Sequence, residues 1–365
     1  MGPFSKEPPF AHGRTPKTGI LLVNLGSPEA PTPQAVRRYL REFLSDPYVV
    51  EIPRPVWWLI LNLFVLTMCP KASAGRYAQV WTREGSPLVV HTAQQARLLQ
   101  GYLGERLKQP HVIDYAMRYG KPSIGEKLAS LKAQGCERIL LLPLYPQYSA
   151  STTGTVFKAT FDVIGAMRNQ PALRTVKHFH DDEGYIKASA QSIQDYWVKH
   201  GRGDHLVLSF HGVPRRTLDL GDPYHCECLK TGRLITEQIG LKPDFYSVTF
   251  QSRFGRAEWL KPYTSEVIKS LAKKKIGRID VTCPGFVSDC LETLEEIAIE
   301  AKGDFLANGG KELHYIPCLN ERDDWLHALN DITLKNLLGW GSGATPEGSA
   351  LTKTLALAAG AKNIL

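Results

Sequence analysis

Short, continuous apolar runs of five or six residues recur through the chain, each followed by a stretch long enough for an amphipathic helix. The runs are Ile20–Asn24, Val112–Met117, Ile139–Leu144 and Thr175–Phe179, then Leu206–Phe210, Phe245–Phe250, Ile279–Cys283 and Glu312–Ile316. Between them lie helix-length segments such as Gln34–Leu44, Ile124–Lys132, Tyr185–Lys199, Thr264–Ala272, Leu291–Lys302 and Asp323–Leu338. A strand that faces water on one side alternates apolar and polar residues. These runs do not alternate, so both faces must be covered, which requires parallel sheets with helices on each side.

Eight such strands could close one barrel. Four precede residue 180 and four follow it, with helical stretches at Val156–Met167 and Tyr185–Lys199 around the divide. We therefore expect an α/β fold of two similar Rossmann-like lobes. Each is a four-stranded parallel sheet flanked by helices, residues 18–180 and 181–338, and a ligand cleft lies between them. The last helix is expected to pack back on the first lobe. Residues 339–365 form a tail that begins rich in Gly, Ser and Pro and carries a short apolar helix near Leu355–Ala361. In open parallel sheets ligands lie beyond the carboxyl ends of the strands. The residues just after each strand are therefore the ones to inspect.

Charge narrows the partners. The chain carries a formal net charge of +8, which favours an anionic partner. Its basic residues are scattered and form no basic tail, so nucleic acid is not expected. An acidic small molecule or an anionic membrane surface fits better. The seven cysteines are odd in number and irregular in spacing, which fits a reducing compartment rather than a disulfide framework. The N-terminal segment has no apolar core, so no signal peptide is expected and the location is cytoplasmic. The most apolar run, Val56–Met68, has thirteen residues with an Asn inside and reads as too short to span a bilayer. It is either a buried helix or a lip that touches a membrane or a ligand.

After the first strand comes Asn24-Leu25-Gly26-Ser27-Pro28, which lacks the later glycines of a dinucleotide fingerprint. Thr32 and Pro33 then mark a helix start. After the third strand, LYPQYSASTTGT supplies Tyr145, Tyr148, Ser149, Ser151, Thr152 and Thr153. Aromatic rings with hydroxyls suit a flat, apolar ligand with polar edges, but a polar loop capping the next helix gives the same pattern. After the fifth strand comes His211, in LSFHGVP. Imidazole there is a proton acceptor near neutral pH and a ligand for divalent iron. After the seventh strand, Glu292, Glu296 and Glu300 follow at intervals of four, in one stripe of a helix. Like charges at that spacing cost a few tenths of a kcal/mol per pair, so local stability does not account for the stripe. Against a functional role, Asp289 to Glu292 also reads as a capping box. Cys226 and Cys228, in HCECLK, have no second pair to complete a metal set, and read as free thiols at a helix start.

Taken together, TGILLVNLGSPEAPTPQAVRRYLREFLSD, LLPLYPQYSASTTG, LSFHGVP, VTFQSRFGRAEWLKPYT and CPGFVSDCLETLEEI resemble the ferrochelatases, and their bacterial members in particular. The resemblance runs from about Thr18 to Asn330, with five blocks in the right order. It implies insertion of Fe²⁺ into protoporphyrin IX to form protohaem with release of two protons, the last step of haem biosynthesis. It places the metal at His211 and Glu292, with Glu296 as the next acidic residue. Leu25, Arg118, Tyr145, Trp259 and Phe286 fall on positions lining the porphyrin. Ser149 and Arg118 are candidates for holding the propionates. Two departures stand out. Cys290 replaces a histidine found in many members, and Ala150 stands where some members carry an iron–sulfur ligand. With no Cys in residues 339–365 either, no iron–sulfur cluster and no retained cofactor are expected; iron is substrate.

Metallation demands that the ring be gripped and bent so that its nitrogen lone pairs are presented while two N–H protons leave. The lip around Trp57, Trp58 and Leu59 and the cleft aromatics are candidates for the grip. His211 takes a proton or holds iron, Glu292 completes an N/O pair, and Glu296 passes proton or metal onward. Three alternatives remain: a cobalt or nickel chelatase on the same scaffold, a non-catalytic tetrapyrrole carrier, and a two-lobed solute-binding protein. The substrate's poor solubility makes peripheral membrane contact, at the inner face, an expectation. Oligomeric state is not legible.

Overall fold

The structure, a computed structural model, describes residues 4–9, 11–255, 257–340 and 346–361. Part of the expected tail, residues 341–345 and 362–365, thus lies outside the described residues. Pro346–Ala358 is helical, which begins well before the expected Leu355.

Among the described residues the strands form two four-stranded sheets, and every ladder is parallel. The first contains β1 (Lys17–Ser27), β2 (His111–Gly120), β3 (Cys136–Pro143) and β4 (Ala172–Thr175), in the order β2-β1-β3-β4. The second contains β5 (His205–His211), β6 (Tyr246–Gln251), β7 (Arg278–Thr282) and β8 (Glu312–Tyr315), in the order β6-β5-β7-β8. The two orders are the same, which settles the two-lobe reading over a single barrel. In both, the chain reverses direction across the sheet between the first and third strands, and open sheets bind ligands at that point.

The apolar runs are buried on both faces, as their lack of alternation required. Ile20, Leu21, Leu22 and Val23 are all fully buried, as are Ile139 to Leu142. Alternate residues of each strand enter different cores. Leu21 and Val23 meet the helix Ile124–Ala133, whereas Ile20 and Leu22 enter a core that also contains Leu206, Leu208 and Phe210 of the second sheet. The helices Pro87–Arg106, Glu183–His200 and Asp323–Leu337 contribute Leu99, Ile193 and Trp325 to that shared core. The last of these packs on Pro87–Arg106, and the chain beyond it is pinned to the first sheet by Arg174, which donates to the carbonyls of Asn336 and Leu338.

Three expectations need correction. The fourth run was placed at Thr175–Phe179, but β4 ends at Thr175. Val176 still donates to Leu141 O, and Phe179 is buried against Tyr185 and Trp325. The apolarity of those residues reports the core between the lobes rather than a ladder. Second, Val56–Met68 is only part of a continuous helical segment, Arg54–Val80, whose 27 residues and mean hydropathy of 1.4 in its most apolar window make it long and apolar enough to cross a bilayer. Only 22% of that window is buried. Its inner face, with Trp57, Leu61 and Leu66, packs near Leu40, Leu44 and Val50, and Trp57 Nε1 donates to Leu44 O at 2.6 Å. Trp58, Leu63, Phe64 and Met68 point outward.

Third, Leu291–Lys302 is not one regular α-helix. A short turn, Leu291–Leu294, runs into a wide-turn π segment at Glu296–Ala301, with Glu300 N–H donating to Glu295 O. The wider turn rotates Glu300 out to solvent and dissolves the regular acidic stripe. Nor is Asp289 the cap. Cys290 occupies that position, and its N–H donates to Thr293 Oγ1 at 3.0 Å.

Candidate functional site

His211 is the last residue of β5, carried out of the core by six buried residues. Its Nδ1 lies 2.6 Å from Gly212 O. A carbonyl can only accept, so Nδ1 carries the hydrogen and Nε2 keeps its lone pair for a proton or a metal. Gly212 is required at the turn: a Cβ there would lie 2.7 Å from Gln251 O and 3.0 Å from the Trp259 ring. Trp259 is buried against this turn, edge-on to the exposed Phe254 at 4.8 Å. The Phe286 ring sits 6.4 Å from His211, and Tyr224 donates its hydroxyl to His211 O.

Glu292 enters from the other side of the same switch point, in the first turn after β7. It is half-buried, facing the Cys290 thiol and the phenols of Tyr39 and Tyr77. Burial first, then the Glu292 charge, pushes the Cys290 thiol well up, so it stays protonated and donates toward that carboxylate. Both phenols are likewise raised by burial, with the Glu292 charge adding to it. Tyr77 belongs to Arg54–Val80 and shares a small core with Leu291, so that helix packs beside the turn that carries Glu292.

Gln251 ties the two residues together. It ends β6 and pairs in register with His211. Its side-chain amide donates to Glu292 O at 2.8 Å and to Glu296 Oε2 at 3.2 Å, while its Oε1 accepts from Ser209 at 2.7 Å. Glu296 also receives Ser252 N–H at 2.7 Å and Ser252 Oγ–H at 2.5 Å. Ser252 holds a left-handed backbone, φ 62°, to deliver both. Glu296 is therefore clamped by three donors.

The first lobe faces this centre with the ends of β1 and β3. Leu25 is half-buried after Asn24, whose side chain accepts Leu25 N–H and donates to Thr92. Tyr145 has a buried hydroxyl without a hydrogen-bond partner, and burial pushes its phenol well up. An orphaned buried hydroxyl marks a place where a polar ligand atom would fit. Arg118 and Ser149 are already engaged. The Arg118 guanidinium reaches Asp46 Oδ2 at 2.5 Å and Thr155 Oγ1 at 2.7 Å. Ser149 is buried and donates to Asp222 at 3.0 Å, tying its loop to the second lobe.

The ferrochelatase family model matches residues 17–337. The chain belongs to the ferrochelatase family. It is a metal chelatase of haem biosynthesis, inserting iron into protoporphyrin. It is 59% identical over 337 residues to a ferrochelatase of Janthinobacterium sp. (strain Marseille), covering 92% of this chain and 91% of the relative. It is 58% identical over 340 residues to a ferrochelatase of Chromobacterium violaceum, covering 93% of each. Among solved structures it is similar to SirB from Bacillus subtilis with Fe³⁺, at a TM-score of 0.54 and 14% identity, over 89% of this chain and 97% of that one. The likeness to SirB is one of fold, and it agrees with the paired lobes.

Within this ferrochelatase fold, sequence reasoning found the residues that end strands and missed those that brace them. Gln251 and Ser252, the last residue of β6 and the one after it, lie inside the motif VTFQSRFGRAEW, and the strand-end rule applied there would have found them. Asp289 is another. It is buried and accepts from Tyr315 Oη at 2.5 Å, Asn320 Nδ2 at 2.7 Å and Thr293 Oγ1 at 3.1 Å, which anchors the turn before Glu292. Tyr39 and Tyr77 gave no local signal, because their helices place them against Glu292 only in three dimensions.

Proposed function

We propose that metallation of protoporphyrin IX takes place between the carboxyl ends of the two sheets, with His211 Nε2 and the Glu292 carboxylate as the pair that handles iron and protons. The observation that carries this reading is the free Nε2 of His211, held in one tautomer by Gly212 O and linked through Gln251 to the acidic turn. Each cycle removes two pyrrole protons and places one Fe²⁺ in the ring. His211 Nε2 accepts the two pyrrole protons in turn and hands each to solvent before taking the next, and Glu292 meets the incoming cation with an oxygen ligand. One nitrogen and one carboxylate bind ferrous iron loosely enough to release it to four pyrrole nitrogens. Glu296 serves as the brace of this pair, since passing a proton onward would first require breaking its bonds to Ser252.

Leu25, Tyr145 and Phe286 form the walls for the macrocycle in this reading, with Trp259 packed behind the His211 turn and the buried Tyr145 hydroxyl as an unpaired polar atom behind the apolar wall. Arg118 and Ser149 shape the pocket through Asp46 and Asp222; a propionate would have to compete with those carboxylates. No resident cofactor and no iron–sulfur cluster take part. The outward face of Arg54–Val80 rests on the headgroup region of an anionic membrane, where a poorly soluble porphyrin and haem are exchanged.

The test is anaerobic turnover with Fe²⁺ and protoporphyrin IX, followed by loss of porphyrin fluorescence, for the wild type and Glu292→Gln. We expect kcat to fall by about 10²-fold or more in the variant, the range lost with a positioned acid–base group. A wild type that binds porphyrin but does not metallate it would make the chain a carrier. Normal turnover by a folded Glu292→Gln would remove Glu292 from the mechanism.

A further inference from the structure

Away from this centre, a second cluster of metal-ligating side chains lies where the two lobes meet. His178 and His180 follow β4 in the first lobe. Glu227 lies on the helix Tyr224–Ile239, between β5 and β6 of the second. One ligand atom from each of the three falls within 4.8 Å of the others. His178 Nδ1 is 2.7 Å from Glu227 Oε1, and His180 Nδ1 is 3.4 Å from Glu227 Oε2. The imidazole rings stand edge to face at 4.8 Å.

A histidine pair on a carboxylate can be purely structural. Two observations favour a ligand. First, His180 is 6% exposed, yet its Nδ1 is buried without a hydrogen-bond partner. Burying that nitrogen unsatisfied is unfavourable, and a cation among the three groups would supply its partner. Second, a carboxylate lies near the other ring nitrogen: Asp181 stands 3.8 Å from His180 Nε2, held in place by Lys230 at 2.5 Å, and would come within hydrogen-bond distance with a small shift of the ring toward a bound cation. A tetrahedral site with bonds of about 2.0–2.1 Å sets its ligand atoms roughly 3.3 Å apart; the two His–Glu separations of 2.7 and 3.4 Å bracket that value, and binding would draw in the third pair, now within 4.8 Å.

We propose that His178, His180 and Glu227 form a second divalent-metal site, distinct from the substrate-iron position at His211 and Glu292. Two imidazoles, one carboxylate and an open fourth position for water select a borderline cation, with Zn²⁺ the best geometric match. The site acts as a clamp. It joins the segment after β4 to a helix of the other lobe. Glu227 Oε2 also accepts Tyr148 N–H at 2.7 Å, in the loop that carries Tyr145 and Ser149. Occupancy would therefore stiffen one wall of the porphyrin cleft without touching the iron pair.

The test uses full-length protein stripped of metal with a chelator, titrated anaerobically with Co²⁺ as a visible-absorption probe and then competed with Zn²⁺. His211→Ala should retain one Co²⁺ with intense four-coordinate bands, and Zn²⁺ should raise its thermal midpoint. On that His211→Ala background, adding His178→Asn or Glu227→Gln should weaken that equivalent at least tenfold and abolish the Zn²⁺-dependent rise. His178 is partly exposed, so the protein with His178→Asn stays folded without metal, and its response to Zn²⁺ decides the matter even where Glu227→Gln disturbs packing. Equal Co²⁺ affinity and stoichiometry in His211→Ala with and without His178→Asn, or no Co²⁺ bound by His211→Ala, would overturn the proposal.

Discussion

Replacing Gln251 by glutamate changes one atom of size and inverts its chemistry. The amide nitrogen lies 3.2 Å from Glu296 Oε2 and 2.8 Å from Glu292 O, so a donor facing two acceptors becomes a third acceptor. Two carboxylates at that 3.2 Å separation repel by about 5 kcal/mol at an effective dielectric near 20. Keeping one carboxyl protonated at pH 7 instead costs about 3.7 kcal/mol, for an ordinary pKa of about 4.3 and about 1.4 kcal/mol per pH unit. Protonation is the cheaper outcome, so the pair holds one proton at neutral pH. A single proton serves only one of the two acceptors, which adds about 1 kcal/mol. The variant should thus be destabilised by about 4–5 kcal/mol at pH 7.

The pH dependence is the diagnostic part. The introduced group has a folded pKa raised above its unfolded value, so the folded state binds the extra proton. Its penalty is small near pH 4 and grows as pH rises through the gap between the two values. At pH 5 the protonation cost shrinks to about 1 kcal/mol, and the total to about 2 kcal/mol. Gln251→Met also loses the donors but brings no charge, and should cost about 2–3 kcal/mol at both pH values. Urea unfolding of both variants at pH 5 and pH 7 makes the comparison, with kcat measured alongside. Because Gln251 holds the backbone of Glu292, kcat should fall about tenfold or more even where the fold persists. A Gln251→Glu protein equally destabilised at both pH values would refute the bracing role and the electrostatic reasoning together.

Asp46 offers a second pH-dependent test. Burial raises its carboxyl, but hydrogen bonds from Thr155, Tyr48 N–H and Tyr119, together with the Arg118 guanidinium, outweigh that and hold it below the ordinary range. Its contribution is present above the unfolded pKa of about 3.8 and is lost as pH falls through the lower folded value. Asp46→Asn should therefore cost about 2–4 kcal/mol in urea unfolding at pH 7, by leaving the half-buried Arg118 without a counter-charge, and progressively less as pH falls below the unfolded value toward the lower folded one. A cost that did not change with pH would show that the carboxylate charge contributes nothing. On the outer face of Arg54–Val80, Trp58, Leu63 and Phe64 are each about 60% exposed, so changing all three to serine should leave the thermal midpoint unaltered. Partitioning onto anionic vesicles should drop about 10²-fold, for roughly 1 kcal/mol of burial lost per residue. Unchanged partitioning would dismiss the membrane-facing role.

Periodicity carried the fold because the core enforces it locally. Ile20 to Val23 and Ile139 to Leu142 had to be apolar without alternation, and that alone indicated covered parallel sheets. It misplaced β4 for the same reason: Val176 and Phe179 are as buried as strand residues, and burial does not report hydrogen bonding. The candidate site was legible where a polar side chain sits at a strand end, as with His211 at the end of β5. It was illegible where a polar group is satisfied from far along the chain. Asp46 meets Arg118 across 72 residues, and Gln251 meets Glu292 across 41. Nothing near Asp46 or Gln251 in the sequence reports those partners.

The places where regular backbone gives way carry a further argument. Wide-turn segments occur at Leu61–Val65, Ala150–Gly154 and Glu296–Ala301. They fall in the apolar lip, the tyrosine- and hydroxyl-rich loop and the acidic helix, the same three segments whose composition made them candidates for gripping and metallating the ring. A wide turn is less stable than an α-turn and survives only when tertiary contacts favour it. At Glu296 the contact can be named: Ser252, in a left-handed conformation, donates twice to that carboxylate. The wide turn, from Glu295 O to Glu300 N–H, opens directly at Glu296 and carries Glu300 out to solvent. A regular α-helix would stack Glu296 and Glu300 on one face, four residues apart. The irregularity leaves Glu296 as the brace held by Ser252 and removes Glu300 from it, a division that an even acidic stripe could not provide.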